Sequence, residues 1–112
     1  MTHSAELAQQ KCQPCEGSVA PLSEQRAAEL LQQLDGWART GREIVKTYQF
    51  ENYYQTMAFV NMTAWLSHRE DHHPDLQVGY NNCRVAYHTH AIGGLSDNDF
   101  ICAAKLDALF RV

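Results

Sequence analysis

The chain has 112 residues and a mass of 12.7 kDa, room for one compact domain, and its 45% apolar composition suits a single buried core. Thirteen Asp and Glu against nine Lys and Arg give a net charge of -4 and a pI near 5.8, so no field is present to hold a phosphate backbone or an anionic lipid surface. No run approaches the roughly 20 apolar residues that span a bilayer, and no basic segment followed by an apolar run opens the chain, so nucleic acid and membrane are set aside as partners and the expected location is cytoplasmic.

Residues 1–20 show no sustained periodicity and are expected to form a loosely ordered N-terminal segment ahead of a single domain at 21–112. Within it, Cys12-x-x-Cys15 is half of a zinc or redox motif, but no second pair and no helix pattern follows it. Cys83 and Cys102 stand apart, so reduced thiols are the expected state. Pro21-Leu22-Ser23 reads as a lead-in and N-cap. Ala27, Leu30, Leu31 and Leu34 then share one helical face up to Gly36, which predicts a first helix over 24–35. Residues 37–40 and 43–50 flank Gly41-Arg42 and predict two strands around a tight turn, because Ile44, Val45, Thr47, Tyr48 and Phe50 are β-branched or aromatic; Lys46 breaks the alternation.

Asn52, with Gln55 three residues on, caps a long helix expected to reach about His68. Thr56, Thr63 and Ser67 form its one polar line, so covering the rest calls for a sheet beneath and a second subunit above. Leu76, Val78 and Tyr80 alternate with Gln77 and Gly79, and Val85, Tyr87 and Thr89 resume the alternation beyond Asn81-Asn82, a dipeptide able to take positive φ in a two-residue turn. Counting outward from that turn pairs Val78 with Val85, Leu76 with Tyr87, and His73 with His90. Ser96-x-x-Asp99 opens a last helix as a capping box, with Cys102, Ala103, Leu106, Leu109 and Phe110 on its inner side. The order α-β-β-α-β-β-α predicts an α+β fold, a four-stranded antiparallel sheet covered by helices on one face.

Five of the six histidines lie between His68 and His90, a high local density of the side chain that titrates near neutral pH. The predicted register sets His73 beside His90 on the face opposite Val78 and Val85, next to His72, and two imidazoles meeting there make proton transfer possible. The spacing favours a metal chelate less. His72 and His73 point to opposite sides of an extended segment, and His68 and His72, although four apart, straddle a helix end before Pro74. His68 and His88 are left as ordinary polar residues. Asp99 has a sufficient role in the first turn of a helix, and Trp37 suits either the core or stacking on a flat heterocycle. Glu70 and Asp71 read as solvated charges or as orienters of a neighbouring imidazole.

Asp71-His72-His73-Pro74, Tyr80-Asn81, Thr89-His90, Gly94-Leu95-Ser96 and Asp99 stand in this order, with Trp37 upstream and Phe59-Val60-Asn61 in the middle helix. With that set the sequence resembles the pterin-4a-carbinolamine dehydratase family over residues 22–112, and Cys12-x-x-Cys15 is similar to its bacterial branch. The resemblance implies dehydration of 4a-hydroxytetrahydrobiopterin to quinonoid dihydropterin, which recycles the cofactor of phenylalanine hydroxylase. It implies catalytic His72, His73 and His90, with Pro74, Asp99 and Trp37 at the pterin, no metal and no organic cofactor, and a homodimer or homotetramer. The chemistry suits imidazoles, since an imidazolium can protonate the departing oxygen and a neutral ring can take the nitrogen proton. His72 and His90 are expected to share these roles while His73 orients the pterin. Two other classes compete. One is a binding module, as in family members that act as dimerisation partners of a homeodomain transcription factor; the other is a small metal or redox protein built on Cys12, Cys15 and the histidines.

Overall fold

The computed structural model describes residues 3–13 and 20–110. In chain order it holds helix α1 (His3–Gln9), helix α2 (Glu24–Leu31), strands β1 (Ala38–Thr40) and β2 (Glu43–Gln49), and helix α3 (Tyr53–Glu70). Strands β3 (Asp75–Val78) and β4 (Asn82–Tyr87), a 3-10 turn (His90–Ile92) and helix α4 (Asp97–Leu109) complete it. From α2 onward this is the expected α-β-β-α-β-β-α order in an α+β fold. Helix α1 falls in the segment for which the sequence predicts no element. At seven residues it is too short for periodicity to reveal, and it is held by tertiary contacts: Leu7 is buried, and Lys105 Nζ on α4 donates to the Ala8 carbonyl at 2.7 Å. Cys15 lies outside the described residues.

Local capping sets the helix starts. Ser23 accepts from the Arg26 N–H at 3.1 Å, Asn52 accepts from the Gln55 N–H at 2.9 Å, and Asp99 accepts from the Ser96 N–H at 2.9 Å. Helix α2 stops at Leu31 rather than 35 because Gln33 and Leu34 bond three residues back, to Leu30 and Leu31, tightening the last turn before Gly36 at φ 84°. Helix α3 runs two residues past His68 and closes on Asp71, whose φ of 52° is left-handed. The Asp71 N–H then reaches the His68 carbonyl and the His72 N–H the Ser67 carbonyl, a Schellman-type end that sets the direction in which His72 leaves the helix.

The sheet order is β1-β2-β4-β3, antiparallel throughout. Ile44 faces Tyr87, Lys46 faces Val85 and Tyr48 faces Cys83, so these six share one side of the pleat. Helices α3 and α4 cover that side, with the Phe59 ring 4.5 Å from both the Tyr48 and Phe110 rings. The break in alternation at Lys46 has a tertiary cause, since its ammonium crosses to Asp107 on α4 at 2.9 Å.

The second hairpin differs from the expected one in register. The turn is Tyr80-Asn81, not Asn81-Asn82; the Gly79 N–H donates to the Asn82 carbonyl at 2.8 Å, and none of residues 79–82 has a positive φ. Tertiary bonds select it, for the Tyr80 carbonyl accepts from the Thr56 hydroxyl at 2.9 Å and the Asn81 carbonyl from the Phe50 N–H at 2.7 Å. Val78 therefore faces Cys83, and Leu76 faces Val85. A shift of two keeps every side chain on its expected face, but it removes the proposed pairing of His73 with His90, which lie outside both strands.

Helix α3 turns its polar line inward. Thr56 and Thr63 are buried; the Thr56 hydroxyl is shared between the carbonyls of Asn52 and Tyr80, each at 2.9 Å, the Thr63 hydroxyl donates to the Phe59 carbonyl at 2.9 Å, and Ser67 donates to Thr63 at 2.7 Å. Satisfied in this way, they pack as small apolar residues against the sheet. The outer side carries Tyr54, 82% exposed, and Trp65, 55% exposed, with Met62 also open to solvent.

Candidate active site

Four histidines converge on an open cavity of about 360 Å³ where the end of α3, the start of β3 and the loop after β4 meet. His72 is the most enclosed. Its ring stacks on Tyr87 with 5.9 Å between centroids and 7° between planes, and its Nε2 lies 2.6 Å from Asp99 Oδ1. Asp99 is fully buried. Its second oxygen accepts from the Ser96 N–H and the Thr89 hydroxyl, both at 2.9 Å, so a cap at the start of α4 also supplies the carboxylate behind His72. An ionised carboxylate only accepts, which keeps the proton on Nε2 of His72 and leaves Nδ1 as the nitrogen able to take another.

His73 and His90 do come together, though not through strand pairing. The chain leaves β4 after Tyr87, forms an antiparallel bridge between Thr89 and Gly94, and turns through the 3-10 segment, with Gly93 at φ 66° closing it. This places the His90 ring 5.8 Å from the His73 ring and 4.0 Å from the His88 ring, with His88 Nε2 and His90 Nδ1 3.1 Å apart. Both His73 and His90 are exposed.

The residues expected to bind substrate sit farther back. Asp99 lies behind His72, and Pro74, half-buried, holds the preceding residue extended; neither lines the cavity. Trp37 is buried and donates from Nε1 to Asp107 at 2.9 Å, with Tyr87 between it and His72. Glu70, read as a solvated charge or as an orienter of a neighbouring imidazole, is enclosed: its side chain is 7% exposed, accepts from the Cys12 N–H at 3.1 Å and faces Lys105. That contact brings Cys12 to the cavity, where its Sγ lies 3.3 Å from Cys102 Sγ. The hydrogen bond with Cys12, followed by burial, pushes the Cys102 thiol up. Of the cavity residues, sequence reasoning passed over His88. Its position two before His90 was the available signal, since strand alternation puts such a pair on one face.

Comparison with known proteins bears on the family to which this fold belongs. The family model described as pterin 4 alpha carbinolamine dehydratase matches residues 20–109. A protein of Nitrosospira multiformis carrying the pterin-4-alpha-carbinolamine dehydratase name is 63% identical over 107 residues, covering 96% of this chain and 95% of its own. One of the same name from Nitrosomonas europaea is 62% identical over 112 residues, covering 99% of each. Among solved structures, a transcriptional coactivator/pterin dehydratase from Brucella melitensis superposes with a TM-score of 0.76 at 28% identity, covering 80% of this chain and 97% of that one. A pterin dehydratase-like protein described as a RuBisCO assembly factor in the alpha-carboxysome gives a TM-score of 0.59 at 27% identity, over 67% and 89%. With the family model matched across both hairpins and the last helix, the chain belongs to the pterin-4-alpha-carbinolamine dehydratase family.

Proposed function

We propose that this chain removes water from 4a-hydroxytetrahydrobiopterin to give the quinonoid dihydropterin, with His72, His73 and His90 as its working groups. The observation that carries the reading is the 2.6 Å contact between His72 and the buried Asp99 on a cavity shared with His73 and His90. His72, held by Asp99, takes the proton from a ring nitrogen at Nδ1. His90, as imidazolium, protonates the hydroxyl at carbon 4a as the C–O bond breaks, so that water departs. The proton on His72 returns to His90 through solvent, and no electron is gained or lost in the cycle. His73, beside His90, orients the pterin, while Trp37 and Pro74 act on it through Tyr87 and the His73 backbone. Such a protein recycles the pterin spent by phenylalanine hydroxylase, in the cytoplasm.

The exposed Tyr54 and Trp65 of α3 support assembly into two or four copies. The same face carries the second reading, a protein-binding role, which the transcriptional coactivator description of the Brucella melitensis neighbour supports. The test follows the spectral decay of 4a-hydroxytetrahydrobiopterin generated by phenylalanine hydroxylase. The wild-type chain should accelerate it, and His72→Ala and His90→Ala should each lower the rate on the order of 10² to 10⁴. A double variant as fast as wild type overturns the assignment.

A further inference from the structure

We propose that Asp75, His88 and His90 form a binding site for a divalent transition-metal ion, zinc first, whose occupation switches the dehydration off. One ligand atom from each of the three lies within 4.8 Å of the others, and His88 Nε2 and His90 Nδ1 are 3.1 Å apart. A tetrahedral zinc with nitrogen ligands at about 2.0–2.1 Å requires its nitrogens to be roughly 3.3–3.4 Å apart, so a few tenths of an ångström of side-chain motion suffice.

The backbone explains the convergence. Asp75 opens β3 opposite Ala86, and His88 continues β4 two residues further, on the same side of the pleat. Extending the β2–β4 register by one pair sets Glu43 across from His88, and Glu43 Oε2 lies 3.9 Å from His88 Nδ1. Arg84 stands 3.8 Å from the other oxygen of Glu43. With Nε2 turned to a metal, Nδ1–H of His88 would thus meet a carboxylate, the backing that orients a ligand imidazole and raises its basicity. Access is open, since Asp75 and His90 are exposed and both imidazoles also line a second cavity of about 420 Å³. Two imidazoles and one carboxylate suit zinc, copper or nickel and are poor hosts for magnesium or calcium, which take oxygen ligands.

The effect on the reaction rests on the function proposed above; the binding does not. A metal on Nδ1 of His90 holds that ring neutral, with its one proton on Nε2, so the ring no longer serves as an imidazolium acid. The site is therefore inhibitory. Neither Asp75 nor His88 belongs to the proposed catalytic set, which allows binding and catalysis to be separated.

Isothermal titration calorimetry of the metal-free chain with zinc should show one equivalent bound, weakened at least about tenfold in Asp75→Asn and in His88→Ala, with circular dichroism reporting the fold of each. Cobalt(II) in place of zinc should give visible ligand-field bands without the strong near-ultraviolet absorption of a cobalt–thiolate bond. Zinc should stop pterin dehydration by wild type and leave Asp75→Asn turning over. No zinc bound, or binding lost in Cys12→Ser but kept in Asp75→Asn and His88→Ala, overturns the site; zinc bound with the rate unchanged overturns the inhibition. A metal-free chain that never dehydrates the pterin removes the proposed function, while calorimetry still decides the site.

Discussion

Helix α4 buries a carboxylate near each end, and the two have different fates. Asp99, in the first turn, sits where the helix dipole favours negative charge, and it receives the Ser96 N–H, the Thr89 hydroxyl and His72. Asp107, close to the C-terminus, sits where the dipole opposes it. It is held instead by the ammonium of Lys46 at 2.9 Å, by Trp37 Nε1–H at 2.9 Å and by the Tyr48 hydroxyl. Burial and the adjacent Asp107 push the Tyr48 hydroxyl well above its ordinary value, so that proton stays in place. Partner identity, not burial, separates the roles: one carboxylate clamps a cation, a phenol and an indole, while the other orients an imidazole, whose charge ordinarily changes between pH 5 and 8.

The comparison breaks most sharply at Asp107. Replacing it with alanine leaves the Trp37 N–H and the Tyr48 hydroxyl without that acceptor and the Lys46 ammonium, 23% exposed, with the Asp35 carbonyl alone at 3.0 Å. A loss of about 3 kcal/mol in urea denaturation is expected, with the dehydration rate of the folded fraction unchanged. At the other end, Asp99→Asn keeps the volume but offers His72 an amide instead of a carboxylate. The rate should fall on the order of 10²-fold, about 2.7 kcal/mol of barrier, with circular dichroism unaltered. Equal losses of stability and equal rates in the two variants would erase the distinction. The smallest effect is alkaline. Tyr48, through burial and Asp107, and Cys102, through its hydrogen bond with Cys12 and burial, keep their protons in the folded chain beyond the ordinary values of 10.0 and 9.0. Above those values the unfolded chain releases protons that the folded one retains, so stability is full below pH 9 and falls as pH rises. Thermal melts should report about 1.4 kcal/mol lost per pH unit per group, and Tyr48→Phe should reduce the slope.

Much of the fold was legible because its signals are local. Ser23, Asn52 and Ser96-x-x-Asp99 mark helix starts within a turn of themselves, and the alternation through Leu76, Val85 and Tyr87 marks strands whatever they pair with. The errors arose where a distant residue chose between local options. Asn81-Asn82 is a sound turn dipeptide, yet Thr56 and Phe50 hold the carbonyls of Tyr80 and Asn81 and move the turn by one residue. Trp37 at a helix-to-strand junction suited either the core or a stacking platform, a choice the sequence left open, and Asp107 draws its N–H into the core. The histidines were found by their density, and their cavity by reasoning whose register was off by two.

Alone, the sequence determined the order of elements from α2 onward, the caps at the helix starts, the inward and outward faces of the strands, and the family pattern around His72, His73 and His90, since each is written within a few neighbouring residues or an ordered motif. Only the tertiary structure decided which imidazole has a carboxylate behind it, that Lys46 and Trp37 share Asp107, and that His88 joins His90. Asp99 is 27 residues from His72, and Asp107 is 70 from Trp37. Contacts across such separations form when packing orients whole elements, so no turn-length signal could specify them.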